Sequence, residues 1–145
     1  MSADSSSCEF PQFNAAPQEV ANLLRSAKII AVVGLSPKPE RPSYSVSRSL
    51  QLRGFKIIPV NPGQKEILGE KAYGSLLEIP GPVDIVDVFR PPEAVPEITD
   101  QAIQIKAKAL WLQEGIVHNE SAEKARKAGL IVIQNKCIAK TLTAL

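Results

Sequence analysis

A chain of 145 residues, 44% of them hydrophobic, is long enough for one compact domain and too short for two. Its formal net charge is +2 and its 17 basic residues are scattered, so no block exists to hold a polyanion, and nucleic acid is excluded as an expected partner. No basic stretch leads into an apolar one at the N-terminus, and no apolar run approaches the ~18 residues of a membrane span, which predicts a soluble, cytoplasmic protein without membrane contact.

Residues 1–14 are Ser-rich and aperiodic and read as a flexible lead-in; residues 15–145 read as a single domain. From Pro17, "PQEVANLLRSA" sets Val20, Leu23, Leu24 and Ala27 on one helical stripe, which predicts an amphipathic helix packed on a sheet. "KIIAVVG" is a short, β-branched apolar run, the pattern of a strand buried on both faces. "SYSVSRSLQLRG" follows as a helix with Ser43 near its N-cap and Gly54 past its end. "FKIIPVNP" gives a second strand, "KAYGSL" a short third and "VDIVDVFR" a fourth. "PPEAVPEITDQAIQIK" carries Val95, Ile98, Ala102 and Ile105 on one face, and Pro96 argues for a helix start one turn after the leading prolines. "AKALWLQEG" is a fifth strand, "NESAEKARKAG" a helix capped by Asn119 and stopped at Gly129, and "LIVIQN" a sixth strand.

Strands alternating with helices imply parallel pairing through crossovers, hence an α/β, doubly wound, three-layer fold of the Rossmann-like kind with expected strand order 3-2-1-4-5-6. Ligands of such sheets bind beyond the carboxyl ends of the strands, where the winding reverses. Those ends read "GLSPKPERPSY", "NPGQK", "RPP" and "QEG". Gly34 permits a sharp turn and close backbone approach, and the following helix N-terminus favours a phosphate, with Lys38 and Arg41 near enough to add charge-assisted bonds. The usual second and third glycines are absent, and Pro37, Pro39 and Pro42 stiffen the loop away from the ordinary pyrophosphate path. The second strand ends in Val60-Asn61-Pro62 where an NAD-binding chain carries a carboxylate for the ribose, and Lys65 follows. NAD is disfavoured; a phosphorylated ribose, as in NADP or coenzyme A, suits a cation there.

"VVGLSPKPERPSY", "PVNP", "ILGEKAYGSLLEIPGPVDIVDVFRPPE", "LWLQEGI" and "AGLIVIQNKC" together resemble the small stand-alone coenzyme-A-binding proteins, which are similar to the N-terminal domain of the succinyl-CoA synthetase alpha subunit. The resemblance runs over about residues 17–140. It implies a Rossmann-like domain over 15–145 that holds coenzyme A or a small acyl-CoA, with Gly34, Leu35, Ser36 and Pro37 around the phosphates and Arg41, Ser43 and Tyr44 beside them at the helix start. It further implies Asn61, Pro62 and Lys65 toward the adenosine, Arg90 and Pro91 on the other wall, and Gln113, Glu114 and Gly115 along the pantetheine.

No catalytic set emerges from the residues. His118 reads as an exposed residue at a helix start, and Cys137 as a small buried hydrophobe, while Cys8 lies in the lead-in. Asp84 and Asp87 point to opposite faces of a strand, Asp87 being expected to cap backbone N–H groups near the ligand edge, and Glu114 is the other candidate acid. The reading is a non-catalytic binder of a small nucleotide ligand, with no metal site. A component of an acyl-CoA ligase needing a partner subunit and an NADP or nucleotide sensor are the alternatives, and a homo-oligomer or a ligase-type partner is compatible with the sequence.

Overall fold

Continuous apolar runs supply the strands of a parallel sheet, and the striped helices cover both of its faces. The computed structural model describes residues 10–145, so Cys8 and most of the expected lead-in lie outside the described residues. In chain order the elements are α1 (Pro17–Ser26), β1 (Ile29–Val33), α2 (Pro42–Leu52), β2 (Lys56–Val60), the two-residue strands β3 (Glu66–Ile67) and β4 (Glu70–Lys71), and β5 (Ile85–Val88). Then come α3 (Val95–Gln104), β6 (Ala109–Leu112), α4 (Asn119–Lys127), β7 (Ile131–Ile133) and α5 (Ile138–Thr143), with single 3₁₀ turns at Leu76–Glu78 and Pro92–Ala94.

Five strands pair in parallel in the order β2-β1-β5-β6-β7, the doubly wound arrangement expected. The expected outermost strand, "KAYGSL", is corrected to one parallel bridge between Val60 and Tyr73. Tyr73 N–H donates to Pro59 O (3.0 Å), and Asn61 N–H donates to Tyr73 O (2.8 Å). The run cannot extend further because Glu70 and Lys71 are drawn into an antiparallel pairing with Ile67 and Glu66, while Leu76, fully buried, pulls the following turn under the sheet.

Strand alternation divides the core. Ala31, Val33, Val86, Val88, Leu110 and Leu112 face Val95, Ile98 and Ala102 of α3 and Ala122 and Ala125 of α4. On the other face, Ile30, Val32, Ile85, Trp111 and Ile133 meet Val20, Leu23 and Leu24 of α1, Leu50 of α2 and Ile138 of α5. Trp111 can be wholly buried because its indole N–H donates to Lys136 O at 2.8 Å. The α3 helix begins at Val95 with Pro96 in its first turn, the later start that the proline demanded.

Two caps differ from expectation. The N-cap of α4 is His118, whose Nδ1 accepts Ser121 N–H at 3.2 Å; Asn119 is already the first helical residue. The N-cap of α2 is Arg41, and Ser43 turns its hydroxyl back to the preceding loop. Asp84, just before β5, performs the backbone capping expected of Asp87: its Oδ2 accepts the N–H groups of Lys28 and Ile29 (2.8 and 2.9 Å), and Lys108 pairs with Oδ1 at 3.3 Å. Burial opposes ionisation there, but the two backbone donors and Lys108 outweigh it and hold the carboxyl below its ordinary range. Asp84→Asn should therefore destabilise most near neutrality and least at acid pH, where the wild-type carboxyl is itself protonated. Thermal melts at pH 3 and 7 check this; an equal loss at both would reject it.

Residues 10–15 lie along the outer edge of β7. Ala15 N–H donates to Val132 O (3.0 Å), and the Asn14 side chain both accepts from Gln134 N–H (2.6 Å) and donates to Gln134 O (3.2 Å). Gln134, fully buried, also accepts from His118 N–H and donates to Asn119 Oδ1, and Asn119 Nδ2 donates to Phe10 O. The last residues of the compositional lead-in are thus tied to the sheet.

Candidate functional site

The chain leaves β1 toward α2 on one face and leaves β5 toward α3 on the other. The loops after these neighbouring strands diverge, and a cavity of about 590 Å³ opens at the carboxyl edge between them. Gly34 sits at its throat with φ +89°, and a Cβ there would lie 2.6 Å from Phe89 O and 3.0 Å from Arg90 Cδ. No other residue type lets the two loops approach this closely.

The first loop is organised by its own side chains. Ser36 N–H donates to Ser43 Oγ (3.0 Å), Lys38 N–H donates to Ser36 Oγ (3.1 Å), and Asn61 Nδ2 donates to Leu35 O (3.0 Å) while its Oδ1 accepts Gly63 N–H (2.9 Å). Ser43 and Asn61 therefore hold the loop in shape, and Asn61 joins the ends of β1 and β2.

Of the sixteen residues expected at the site, Gly34, Ser36, Pro37, Arg41, Asn61, Pro62 and Arg90 line this cavity. Leu35 does not: it is fully buried in the core with Ile30 and Leu50. Ser43 is buried beneath the loop, and Tyr44 packs half-buried against the same core. Lys38, Lys65 and Pro91 are exposed and stand outside the lining. Gln113 is buried and gives its amide to Asp87; Glu114 pairs with Lys140 at 3.1 Å, and Gly115 N–H donates to Asn135 Oδ1 at 2.7 Å. Glu114 lines a separate groove of about 480 Å³ with Lys136, Cys137 and Lys140.

The cavity also takes residues that sequence reasoning missed. Gly74 and Ser75, which follow the Tyr73 bridge, form part of one wall, and Ala94, Glu97 and Gln101 form part of another. The signal for the latter was present: 94, 97 and 101 recur at helical spacing beside the buried stripe of α3.

Asp87 occupies the middle of the sheet between Val32 and Trp111 and is fully buried. Its Oδ1 accepts from Gln113 Nε2 at 2.6 Å, and its Oδ2 has no hydrogen-bond partner among the described residues. It caps no backbone among the described hydrogen bonds, because it faces into the core from within β5. Burial raises its pKa to about 7, against which the Gln113 amide pulls only weakly.

Residues 28–143 match the family described as the CoA binding domain. The chain belongs to the CoA-binding domain family. This CoA-binding domain chain is 43% identical over 125 residues to the uncharacterized protein YneT of Bacillus subtilis, covering 86% of the chain and 93% of that protein. A solved structure of a hypothetical protein from Pyrococcus horikoshii superposes with a TM-score of 0.89 at 37% identity, covering 94% of this chain and 96% of that one. The alpha subunit of the ADP-forming acetate–CoA ligase II of Pyrococcus furiosus is 32% identical over 120 residues, covering 75% of this chain. The CoA-binding domain chain spans about a quarter of that ligase subunit, 26% of its length. No helix among the described residues is long and apolar enough to cross a membrane.

Proposed function

We propose that the chain binds coenzyme A or a small acyl-CoA in the cavity at the carboxyl edge of the sheet and does not transform it. The carrying observation is that the residues common to the cavity and the family-like motifs, Gly34, Ser36, Pro37, Asn61 and Pro62, are joined there by two cations, Arg41 and Arg90. A guanidinium bonded to a phosphate oxygen contributes about 1.5–3 kcal/mol, more than a helix N-terminus alone supplies. The binding reading is supported by the fate of the candidate reactive groups: His118 caps α4, Cys137 is buried, and the carboxyl of Asp87 is sealed within the sheet.

Titration calorimetry with coenzyme A, dephospho-CoA and NADP tests this. Coenzyme A is expected to bind, dephospho-CoA to bind more weakly, and NADP not to compete. Arg41→Ala should weaken coenzyme A about tenfold or more, while Lys65→Ala, outside the cavity, should leave affinity within about twofold. Micromolar NADP binding with no response to coenzyme A would refute the proposal in favour of the nucleotide-sensor reading. A second reading, a component of an acyl-CoA ligase, is favoured by the similarity to the ligase alpha subunit. Co-purification of a grasp-type ligase subunit in a stable complex, with acyl-CoA formation by the pair, would establish it.

A further inference from the structure

The chain's only histidine, His118, joins α4, the end of β7 and the segment that runs along the sheet edge. Ser121 N–H can only donate, so the Nδ1 that accepts it at 3.2 Å is unprotonated and the proton of the neutral ring lies on Nε2. The His118 N–H donates to Gln134 Oε1 at 2.9 Å, and Gln134 Nε2 donates back to Oδ1 of the adjoining Asn119 at 3.1 Å. Residues 10–14 hang on the same two amides. Gln12 N–H donates to Asn119 Oδ1 (2.9 Å), Asn119 Nδ2 donates to Phe10 O (2.8 Å), and the Asn14 side chain pairs with the Gln134 backbone. Every described hydrogen bond of residues 10–14 thus ends at Gln134 or Asn119.

We infer that His118 is a proton-operated latch: its neutral ring closes the N-terminus of α4, and protonation opens that end and loosens residues 10–14 from the edge of β7. A protonated ring carries N–H on both nitrogens, so Nδ1 would present a donor to the Ser121 donor, and its positive charge would face the positive end of the α4 dipole. Both effects open the first turn of α4, the turn that sets His118 and Asn119 against Gln134. Histidine is the side chain whose ordinary titration falls between pH 5 and 8. The surroundings admit the proton. His118 is half-buried and lines a cavity of about 470 Å³ between α3 and α4, whose charged groups are Asp100 from α3 and Glu120, Glu123, Lys124 and Lys127 from α4. Lys124 is paired with Asp100 (2.7 Å) and Lys127 with Glu123 (3.6 Å), which leaves the Glu120 carboxylate to receive an imidazolium. Gln134, which meets His118 from the end of β7, is neutral, and residues 10–14 carry no charge.

Amide hydrogen exchange of the full chain, read residue by residue by NMR at pH 5 and pH 8 and corrected for the intrinsic pH dependence of exchange, provides the test. In the wild-type chain the protection of Ser121, Gln134 and Gln12 should fall together by about tenfold at the lower pH, the loss expected when an N-cap acceptor is removed. The amides of β1 report the global change that Asp84 and Asp87 produce, and protection relative to them isolates the latch. His118→Asn keeps a capping oxygen that does not titrate, so its relative protection at the three amides should stay within about twofold between the two pH values. Equal relative protection of Ser121 at both pH values in the wild-type chain, or an undiminished pH response in His118→Asn, overturns the inference. A response at Ser121 that leaves Gln134 and Gln12 unchanged overturns it as well, since the cap would then open without loosening the edge.

Discussion

Asp87→Asn should make the protein more stable at pH 8 and nearly unchanged at pH 4. Burial in the centre of the sheet disfavours an ionised carboxylate, and the neutral Gln113 amide does not compensate, so the native state holds the proton instead and the pKa rises from 3.8 to about 7. Between those values the native chain keeps a proton that the unfolded chain has released. The stability that Asp87 supplies is complete below pH 4, falls as pH rises and is gone above about 7. The full span corresponds to roughly 4 kcal/mol at about 1.4 kcal/mol per pH unit. Asparagine is nearly isosteric, keeps an oxygen for Gln113 and does not titrate. Urea midpoints at pH 4, 6 and 8 should diverge steadily between wild type and variant, and parallel curves would dispose of the argument. Asp84, three residues earlier, acts with the opposite sign because its donors favour the charged form. The two aspartates therefore place their combined optimum of stability near the ordinary carboxylate pKa, at about pH 4.

Gly34→Ala should be the most damaging single substitution at the site. The residue carries φ +89°, where a side chain costs about 1–2 kcal/mol. The added methyl would also meet the carbonyl oxygen of Phe89 at 2.6 Å, a backbone atom that cannot rotate aside. Relief requires the loops after β1 and β5 to part, stretching Phe89 N–H to Val33 O (2.9 Å). Overpacking of this kind adds about 1–3 kcal/mol. A fall in thermal midpoint of roughly 10 °C is expected for a domain of this size, and coenzyme A binding should be lost in the fraction that folds. Gly54→Ala serves as the comparison: its φ is +101° but nothing lies within 4 Å of its Cβ, so it carries the backbone strain without the clash. Equal midpoints for the two variants would show that loop apposition contributes nothing.

The sheet and its two-faced core were legible because their signals are local. "KIIAVVG", "VDIVDVFR" and "AKALWL" are continuous apolar runs, and each helix carries its stripe within a dozen residues. Where the determinant is long-range, the sequence is silent. Gln113 reads as a ligand-facing loop residue until the parallel register of β5 and β6 sets it beside Asp87, 26 positions away. Leu35 belongs to a motif, but the direction of its side chain depends on how the turn at Gly34 closes. Caps were misplaced by one or two residues at His118 and Arg41, since the hydrogen bond that defines a cap follows the backbone angle and not the residue type alone. Glu97 and Gln101 were hidden for another reason: attention to the buried stripe of α3 passes over the adjacent one.

The segment that runs along β7 bears on how modular this fold is. The family match begins at residue 28, yet the outer edge of the sheet is closed by Asn14 and Ala15, and the adjoining face by α1. A chain cut at the boundary of the match would present bare N–H and C=O groups on a parallel edge, a template for another copy to add its own strand. The recognisable binding unit is thus shorter than the unit whose sheet edge is covered. Residues 10–26 act as a selvedge along that border of the weave.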